Sequence, residues 1–159
     1  YIDFADKAGP LRITIRRPTV LPPEVDALVT LLNVLDQKIA TSSVLDKGSM
    51  SSVTVAGNTV IRDQVALDAL WAQHKPGVTA PTVDFSLQFV VALFMGQQSS
   101  GGYSIAVSDA ERFGDDIHLR VERSAPTGPA PSVITSPFEI VAVTHKGATG
   151  DVTIDGVKQ

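Results

Sequence analysis

The chain has 159 residues, of which 43% are hydrophobic and 19% are charged, and it carries a net charge of −4 at pH 7. This length allows one domain with a sizeable core, and a charged share below the usual value of about a quarter favours a two-layer β protein over a helical bundle. The negative charge, with no basic cluster larger than Arg16-Arg17, argues against nucleic-acid binding, and the lack of cysteine excludes disulfides, thiolate metal sites and a cysteine nucleophile.

The N-terminal part contains one clear strand pattern and one ambiguous segment. Residues 11–16 alternate between apolar and polar side chains, which predicts a strand. Residues 24–39 carry apolar side chains at helical spacing, which predicts a helix, but residues 29–34 taken alone are equally typical of a strand.

The next part contains the clearest helix pattern. Residues 49–62 predict a pair of strands, or one strand interrupted by a turn. Asp63 is a typical N-cap for a helix over residues 64–74, whose apolar positions include Trp71. We expect Trp71, the only tryptophan, to anchor this helix in the core rather than to stack on a ligand.

The longest apolar run, residues 89–95, predicts a strand that is covered on both faces, because it shows no alternation. A small, polar, glycine-rich stretch follows, and residues 103–107 then alternate like a half-buried strand. We interpret residues 81–107 as one hydrophobic β-hairpin with a polar tip. Because no helix follows the glycines, the tip is not a phosphate-binding loop.

The C-terminal part predicts further strands at residues 117–123, 138–143 and 151–154, with a proline-rich loop at residues 124–132. Strands and helices do not alternate along the sequence, which argues against a parallel α/β sheet. The sequence therefore predicts a mainly β fold, an antiparallel β-sandwich-like domain with one well-formed helix at about 64–74 and the uncertain second one at about 24–39.

Several short stretches occur in an order that resembles the C-terminal domain family of the protease-complex subunit PrcB: residues 59–63, 70–74, 83–86, 90–96, 100–105 and 135–141. The resemblance covers about residues 49–155. It departs from the family at Gln98-Ser99-Ser100, where the family usually has Pro-Thr or Arg-Pro-Thr. Ser99-Ser100-Gly101-Gly102-Tyr103 is also distantly similar to the Thr-Thr-Gly-Tyr loop of chagasin-type protease inhibitors, which are Ig-like β-sandwiches.

The resemblance implies a domain formed by residues 49–159, with residues 1–48 as an N-terminal extension or as extra elements packing on the core. It also implies an exported protein, periplasmic, outer-surface or extracellular, because family members are mostly exported or lipid-anchored bacterial proteins. Tyr1 in place of Met fits the removal of a signal peptide, and it fits other trimming equally well. The sequence contains no stretch of about 18 or more apolar residues, so we predict no transmembrane segment in it.

One loop is the candidate partner-binding site, because its glycines allow another backbone to approach closely. The alternative is an ordinary turn, which needs the same residue types. The candidate residues are Gln98, Ser99, Ser100, Gly101, Gly102 and Tyr103.

No stretch of the sequence predicts a catalytic set, a metal site or a cofactor. His74, His118 and His145 are isolated, and there is no Gly-x-Ser-x-Gly motif, although a Ser/His/Asp triad can still assemble in space. Acidic residues beside Gly114 and Gly156 are expected in solvated turns, with calcium binding as the alternative.

We therefore expect a non-enzymatic module that binds other proteins, as the namesake of the family is an accessory subunit of a surface protease complex. An accessory or an inhibitory role fits this expectation. The alternative is a structural subunit of a bacterial cell-surface or extracellular assembly, in which the chain forms oligomers. A hydrolase is the least favoured function.

Overall fold

The computed structural model describes residues 2–4, 13–15, 25, 27, 28, 42–145, 147, 148 and 150–159. The chain forms two compact units, Tyr1–Leu35 and Asp36–Gln159. In the first unit, strand β1 (Ile2–Phe4) pairs antiparallel with strand β2 (Ile13–Ile15). Strand β2 confirms the strand predicted within residues 11–16, whereas β1 was not predicted.

The predicted second helix can be compared with the structure at only a few positions. Val25, Ala27 and Leu28 are helical, and the side chains of Val25 and Leu28 are exposed. The rest of residues 24–39 lies outside the described residues, so the helix and strand alternatives there stay predictions.

The second unit contains two four-stranded sheets and a helix. The first sheet has the strand order β3-β8-β5-β4 and is antiparallel, whereas the second has the order β10-β9-β7-β6 and contains one parallel pair, β7 with β9. The elements are β3 (Ser42–Gly48), β4 (Gly57–Ile61), α1 (Gln64–His74), β5 (Gln88–Phe94), β6 (Ser104–Phe113), β7 (Asp116–Ser124), β8 (Phe138–Thr144), β9 (Val152–Ile154) and β10 (Val157–Lys158). The predicted mainly β, sandwich-like fold with one helix at 64–74 is confirmed.

Strand β5 is buried on both faces because it lies in the middle layer. Val90, Ala92 and Phe94 face helix α1 in one apolar cluster, and the alternate residues of β5 face the second sheet in another. Every residue from Phe89 to Phe94 is at most 5% exposed. This placement explains why the apolar run has no alternation, as the sequence predicted.

Helix α1 is fixed at both ends. The side chain of Asp63 accepts a hydrogen bond from the Ala66 N–H at 2.8 Å, and the Lys75 N–H donates to the Trp71 carbonyl at 2.8 Å where the helix ends. Trp71 is 5% exposed and lies in the cluster between α1 and the first sheet. Its predicted role as a core anchor is confirmed.

The predicted central hairpin is wrong, because β5 and β6 do not pair. Strand β5 pairs with β4 and β8, while β6 pairs with β7 in the other sheet. Residues 95–103 therefore cross between sheets rather than forming a hairpin tip. A strand that is apolar on both faces is most stable inside a sheet, whereas the half-buried β6 lies at an edge of its sheet.

The other differences concern short or exposed strands. Within residues 49–62 only β4 forms a strand of the sheet, and β3 and β10 were not predicted. The strands predicted at residues 117–123, 138–143 and 151–154 are confirmed as β7, β8 and β9. Across the described residues, none of the helices is both long enough and apolar enough to cross a bilayer.

Candidate functional site

Three connecting segments meet at one end of the first sheet of the second unit. Gly48, Phe138, Phe94 and Gly57 form one row across the first sheet, since each is the register partner of the next. The chain leaves or enters this row through residues 49–56, 95–103 and 125–137. We call these three segments the loop end.

The segment 49–56 crosses the whole end of the first sheet, because it joins the two edge strands β3 and β4. Three strand spacings of about 4.8 Å must be bridged, which a short extended segment can do. Segment 49–56 also forms hydrogen bonds with the segments that lead into β8 and out of β5, the two inner strands of the sheet. Ser136 N donates to Ser49 O at 2.8 Å, Ser51 N donates to Ser136 O at 3.1 Å, and Gln97 N donates to Thr54 O at 2.9 Å.

The segment 95–103 is bonded to the segment 125–137 in the same way. Gln98 and Thr135 exchange two backbone hydrogen bonds of 2.7 and 3.0 Å. The Thr135 hydroxyl donates to the Ser100 carbonyl at 2.8 Å, and Gly101 N donates to Pro131 O at 3.0 Å. The loop end is therefore one hydrogen-bonded platform rather than three independent loops.

The structure places the predicted partner-binding loop against this platform. Gln98, Ser100 and Tyr103 are half-buried, Gly101 is buried, and only Ser99 and Gly102 are exposed. The loop lies along the proline-rich segment instead of projecting as a tip, so its exposed surface is small.

The two glycines have roles within the chain. Gly102 has a φ of +86°, and a Cβ built there would lie 3.0 Å from the Pro126 Cβ. A Cβ built at Gly101 would lie 3.5 Å from the Pro131 Cδ, which is an ordinary contact. Gly102 is therefore required by the backbone and by close packing against a proline.

The loop end exposes large apolar side chains that the sequence analysis did not select. Met50 is 68% exposed, Val55 75%, Val133 47% and Ile134 59%. Met50, Val55 and Ile134 are each adjacent to a residue of the hydrogen-bonded platform, and the Val133 N–H donates to the Pro131 carbonyl at 2.9 Å. Their signal in the sequence was the occurrence of large apolar residues in segments rich in serine, glycine and proline, which lack a strand or helix pattern.

Next to Met50 in the chain, Ser51 belongs to a group in which the fold brings together a serine, a histidine and an aspartate. The Ser51 hydroxyl lies 2.8 Å from Nδ1 of His74, and His74 Nε2 lies 2.9 Å from Oδ2 of Asp46. Lys75 Nζ also lies 2.6 Å from the same carboxylate oxygen. We call Asp46, Ser51, His74 and Lys75 the histidine cluster.

The hydrogen-bond partners assign a role to each atom of the histidine cluster. Because the Asp46 carboxylate accepts, Nε2 of His74 carries a proton, and Nδ1 is the acceptor in the tautomer that is protonated at Nε2 alone. The Ser51 hydroxyl donates to Nδ1, and its oxygen accepts from the Val53 N–H at 3.0 Å. Burial raises the pKa of Asp46, but the hydrogen bonds and charges of Lys75 and His74 more than offset this, so the pKa lies below its usual value.

The histidine cluster has the residues of a hydrolase triad but a different geometry. In serine proteases, the catalytic serine bonds to Nε2 of the histidine and the aspartate bonds to Nδ1, with oxyanion donors beside an accessible serine. Here the ring nitrogens are exchanged, His74 is 1% exposed, and Ser51 is 8% exposed. Phe138, with its ring centroid 4.3 Å from that of His74, covers the imidazole. This arrangement is typical of a buried polar network that fixes the helix end to the loop end.

A separate open cavity of about 460 Å³ lies on the second sheet. Asp109, Glu111, His118, Arg120 and Asp155 contribute polar groups to its lining. Within the described part of the chain, no group of three or more histidine, aspartate or glutamate side chains could hold a metal ion.

Asp155, in the turn where calcium was the alternative, is engaged by protein groups instead. The Arg123 guanidinium donates to its carboxylate at 2.8 Å, and the Val121 N–H donates to it at 2.8 Å. The hydrogen bond from Arg123, together with the one from the Val121 N–H, lowers the pKa of Asp155. The carboxylate therefore holds the turn at the end of β9 against β7.

Comparison with known proteins gives one family likeness. A family model described as PrcB C-terminal matches residues 89–144, which run from β5 through β8 and include two of the three segments of the loop end. The stretches at residues 59–63, 70–74 and 83–86 lie outside the matched part. No curated protein and no solved structure matches the chain significantly. The chain thus resembles the PrcB C-terminal family over residues 89–144, which confirms the predicted resemblance.

Proposed function

We propose that this chain is an exported, non-catalytic module that binds a partner protein through its loop end, as an accessory or inhibitory subunit of a surface protease complex. The observation that carries the proposal is the set of exposed apolar side chains on a hydrogen-bonded platform. The resemblance to the PrcB C-terminal family supports association with a protease complex.

The platform suits binding for a physical reason. Interfaces gain most of their free energy from a few desolvated apolar or aromatic side chains, and they lose less when these are already ordered. At the loop end, backbone hydrogen bonds hold the chain on which Met50, Val55, Val133 and Ile134 are carried. A partner would bury these side chains without first having to order three loops.

The chain offers closely matched controls for a binding test. Val65 on α1 is the control for Val55, because the two side chains are 80% and 75% exposed. Leu87, which directly precedes β5, is the control for Ile134, because these side chains are 58% and 59% exposed. We would compare the double variant Val55→Asp/Ile134→Asp with Val65→Asp/Leu87→Asp in cross-linking pull-downs from cell-envelope and secreted fractions of the native source. Circular dichroism would check that both fold.

The expected result is one stoichiometric partner that the wild type and the control variant recover and the loop-end variant does not. Equal recovery by the two variants, or no partner for the wild type, would contradict the proposal. Fractionation of native cells tests export, which predicts that the chain is found outside the cytoplasm.

The non-catalytic part of the proposal has its own test. A fluorophosphonate probe reacts with activated serine nucleophiles. We expect no labelling of the wild-type chain, because Ser51 is buried and donates to a ring that Phe138 covers. Labelling that disappears in Ser51→Ala would show that the histidine cluster activates a nucleophile.

A further inference from the structure

The exposed edges of β-sheets carry unpaired N–H and C=O groups, and proteins usually protect them. Within residues 42–159, strand β3 is protected by a bulge between Val44 and Asp46, and the Asp46 side chain accepts from the Lys47 N–H at 3.0 Å. Strand β10 has only two residues, which is too short to pair with a further strand stably.

Strand β6 is protected most fully. Its register shifts between Val107 and Asp109. The Val107 N–H donates to the carboxylate of Glu139 at 2.5 Å, and the Ala110 N–H donates to the side chain of Asp109 at 2.9 Å. Side chains of this protein therefore occupy backbone donors that another strand would need.

Strand β4 has none of these devices. Its register with β5 is continuous from Gly57 to Ile61, and its sequence, Gly-Asn-Thr-Val-Ile, contains no charge and no proline. Among the described residues, no backbone group of β4 is hydrogen-bonded outside the ladder with β5. A Cβ built at Gly57 meets no described atom within 4 Å, and Thr59 is exposed.

We propose that the outer edge of β4, where no described residue pairs, pairs with the β4 of a second copy of this chain, antiparallel and centred on Thr59. This register places Thr59 opposite Thr59 of the partner copy, Asn58 opposite Val60, and Gly57 opposite Ile61. The unpaired backbone groups then find the partner that an extended strand supplies. The inference goes beyond binding at the loop end, and it is the contact that a structural subunit would need.

The edge of β4 carries no charge that would oppose the same edge of a second copy. In the proposed register no like charges lie opposite each other, although the chain as a whole carries a charge of −4. An uncharged edge also gives an acidic or basic segment no complementary charge. In a two-fold contact every favourable pair away from the axis occurs twice, which strengthens a short interface.

The test uses the full chain and its oligomeric state. Sedimentation velocity over a range of concentrations should show a concentration-dependent dimer for the wild type. Thr59→Lys and Thr59→Asp each place like charges opposite each other at the centre, so each should be monomeric. Mixing the two variants should restore the dimer. Ala72→Lys adds the same charge on the exposed face of α1 and should dimerise like the wild type.

Hydrogen exchange supplies a second measurement that does not depend on the variants. Amides of residues 57–61 should exchange more slowly in concentrated than in dilute wild-type protein, whereas those of β6 should not change. A wild type that stays monomeric, a dimer that persists in both single variants, or a mixture that stays monomeric would each overturn the proposal.

Discussion

Removing the Ser51 hydroxyl should destabilise the fold strongly, because the histidine cluster is buried. Ser51→Ala deletes the donor to His74 Nδ1 and the acceptor of the Val53 N–H. His74 is 1% exposed, so water cannot replace the lost donor, and a buried unsatisfied group costs about 1–3 kcal/mol. Val53 is half-buried, so the second loss adds less. We expect the free energy of unfolding to fall by about 2–4 kcal/mol.

Urea unfolding measures this loss. The fluorescence of Trp71, the only tryptophan, reports on the site directly, because its ring centroid lies 5.6 Å from that of His74. With a denaturant slope of about 1–3 kcal/mol per molar, the midpoint should shift by about 0.7 M or more. Circular dichroism must give the same midpoint for a two-state treatment to hold.

Ser52→Ala is the matched control for this experiment. Ser52 is exposed, and its backbone N–H, which alanine keeps, donates to the His74 carbonyl at 3.1 Å. Its stability should stay within about 0.5 kcal/mol of the wild type. If Ser51→Ala also stayed within that range, the hydroxyl would not be satisfying a buried imidazole, and the structural role assigned to the histidine cluster would be refuted.

Other substitutions test the core, the loop and the charge. Trp71→Ala should lower the free energy of unfolding by about 3–5 kcal/mol through the cavity it leaves, as measured by circular dichroism in urea; a loss below about 1 kcal/mol would contradict the buried position. Gly102→Ala should cost about 1–2 kcal/mol because of its positive φ, while Gly128→Ala, which meets no described atom within 4 Å, should be nearly neutral in the same assay. The lowered pKa of Asp46 means that its stabilisation is present above the unfolded-state pKa of about 3.9 and is lost as the pH falls through the folded-state value. Asp46→Asn should therefore flatten the decline of stability below about pH 4, and an unchanged slope would count against the ion pair.

Strong periodic patterns predicted the elements but not their partners. The strict alternation of residues 117–123 and the unbroken apolar run of residues 89–95 each gave a strand that the structure contains. Pairing depends on which faces must be buried together, and that is a property of several strands at once. Consecutive strands β5 and β6 consequently lie in different sheets, although a hairpin is the simplest reading of their sequence.

Strand β3 and the histidine cluster show why other features were missed. The side chains of β3 are largely exposed at a sheet edge, so the sequence Ser-Ser-Val-Leu-Asp-Lys-Gly shows little hydrophobic alternation. His74 follows Leu67 and Trp71 at helical spacing, so it lies on the same buried face of α1. Its partners Ser51 and Asp46 lie 23 and 28 positions away, and no local spacing connects them.

The candidate loop was located correctly as a connection, but its exposure could not be predicted. Glycines at residues 101 and 102 are compatible with a projecting tip and with close packing, and only the position of Pro126 and Pro131 distinguishes the two. Val133 and Ile134 lie in a segment without a strand pattern, so the sequence does not indicate whether they are buried. In the structure both are exposed, and Thr135, directly after them, exchanges backbone hydrogen bonds with Gln98.

The loop end and the β4 edge together determine how a dimer would present its binding sites. Strand β4 begins at the loop end, because Gly57 belongs to the row that defines it. Antiparallel pairing of two β4 strands places the second copy's loop end at the opposite end of the joined sheet. Both apolar platforms would then stay accessible and point away from each other. Such a dimer could hold two partner molecules, or two sites of one assembly, with the avidity that linked sites provide.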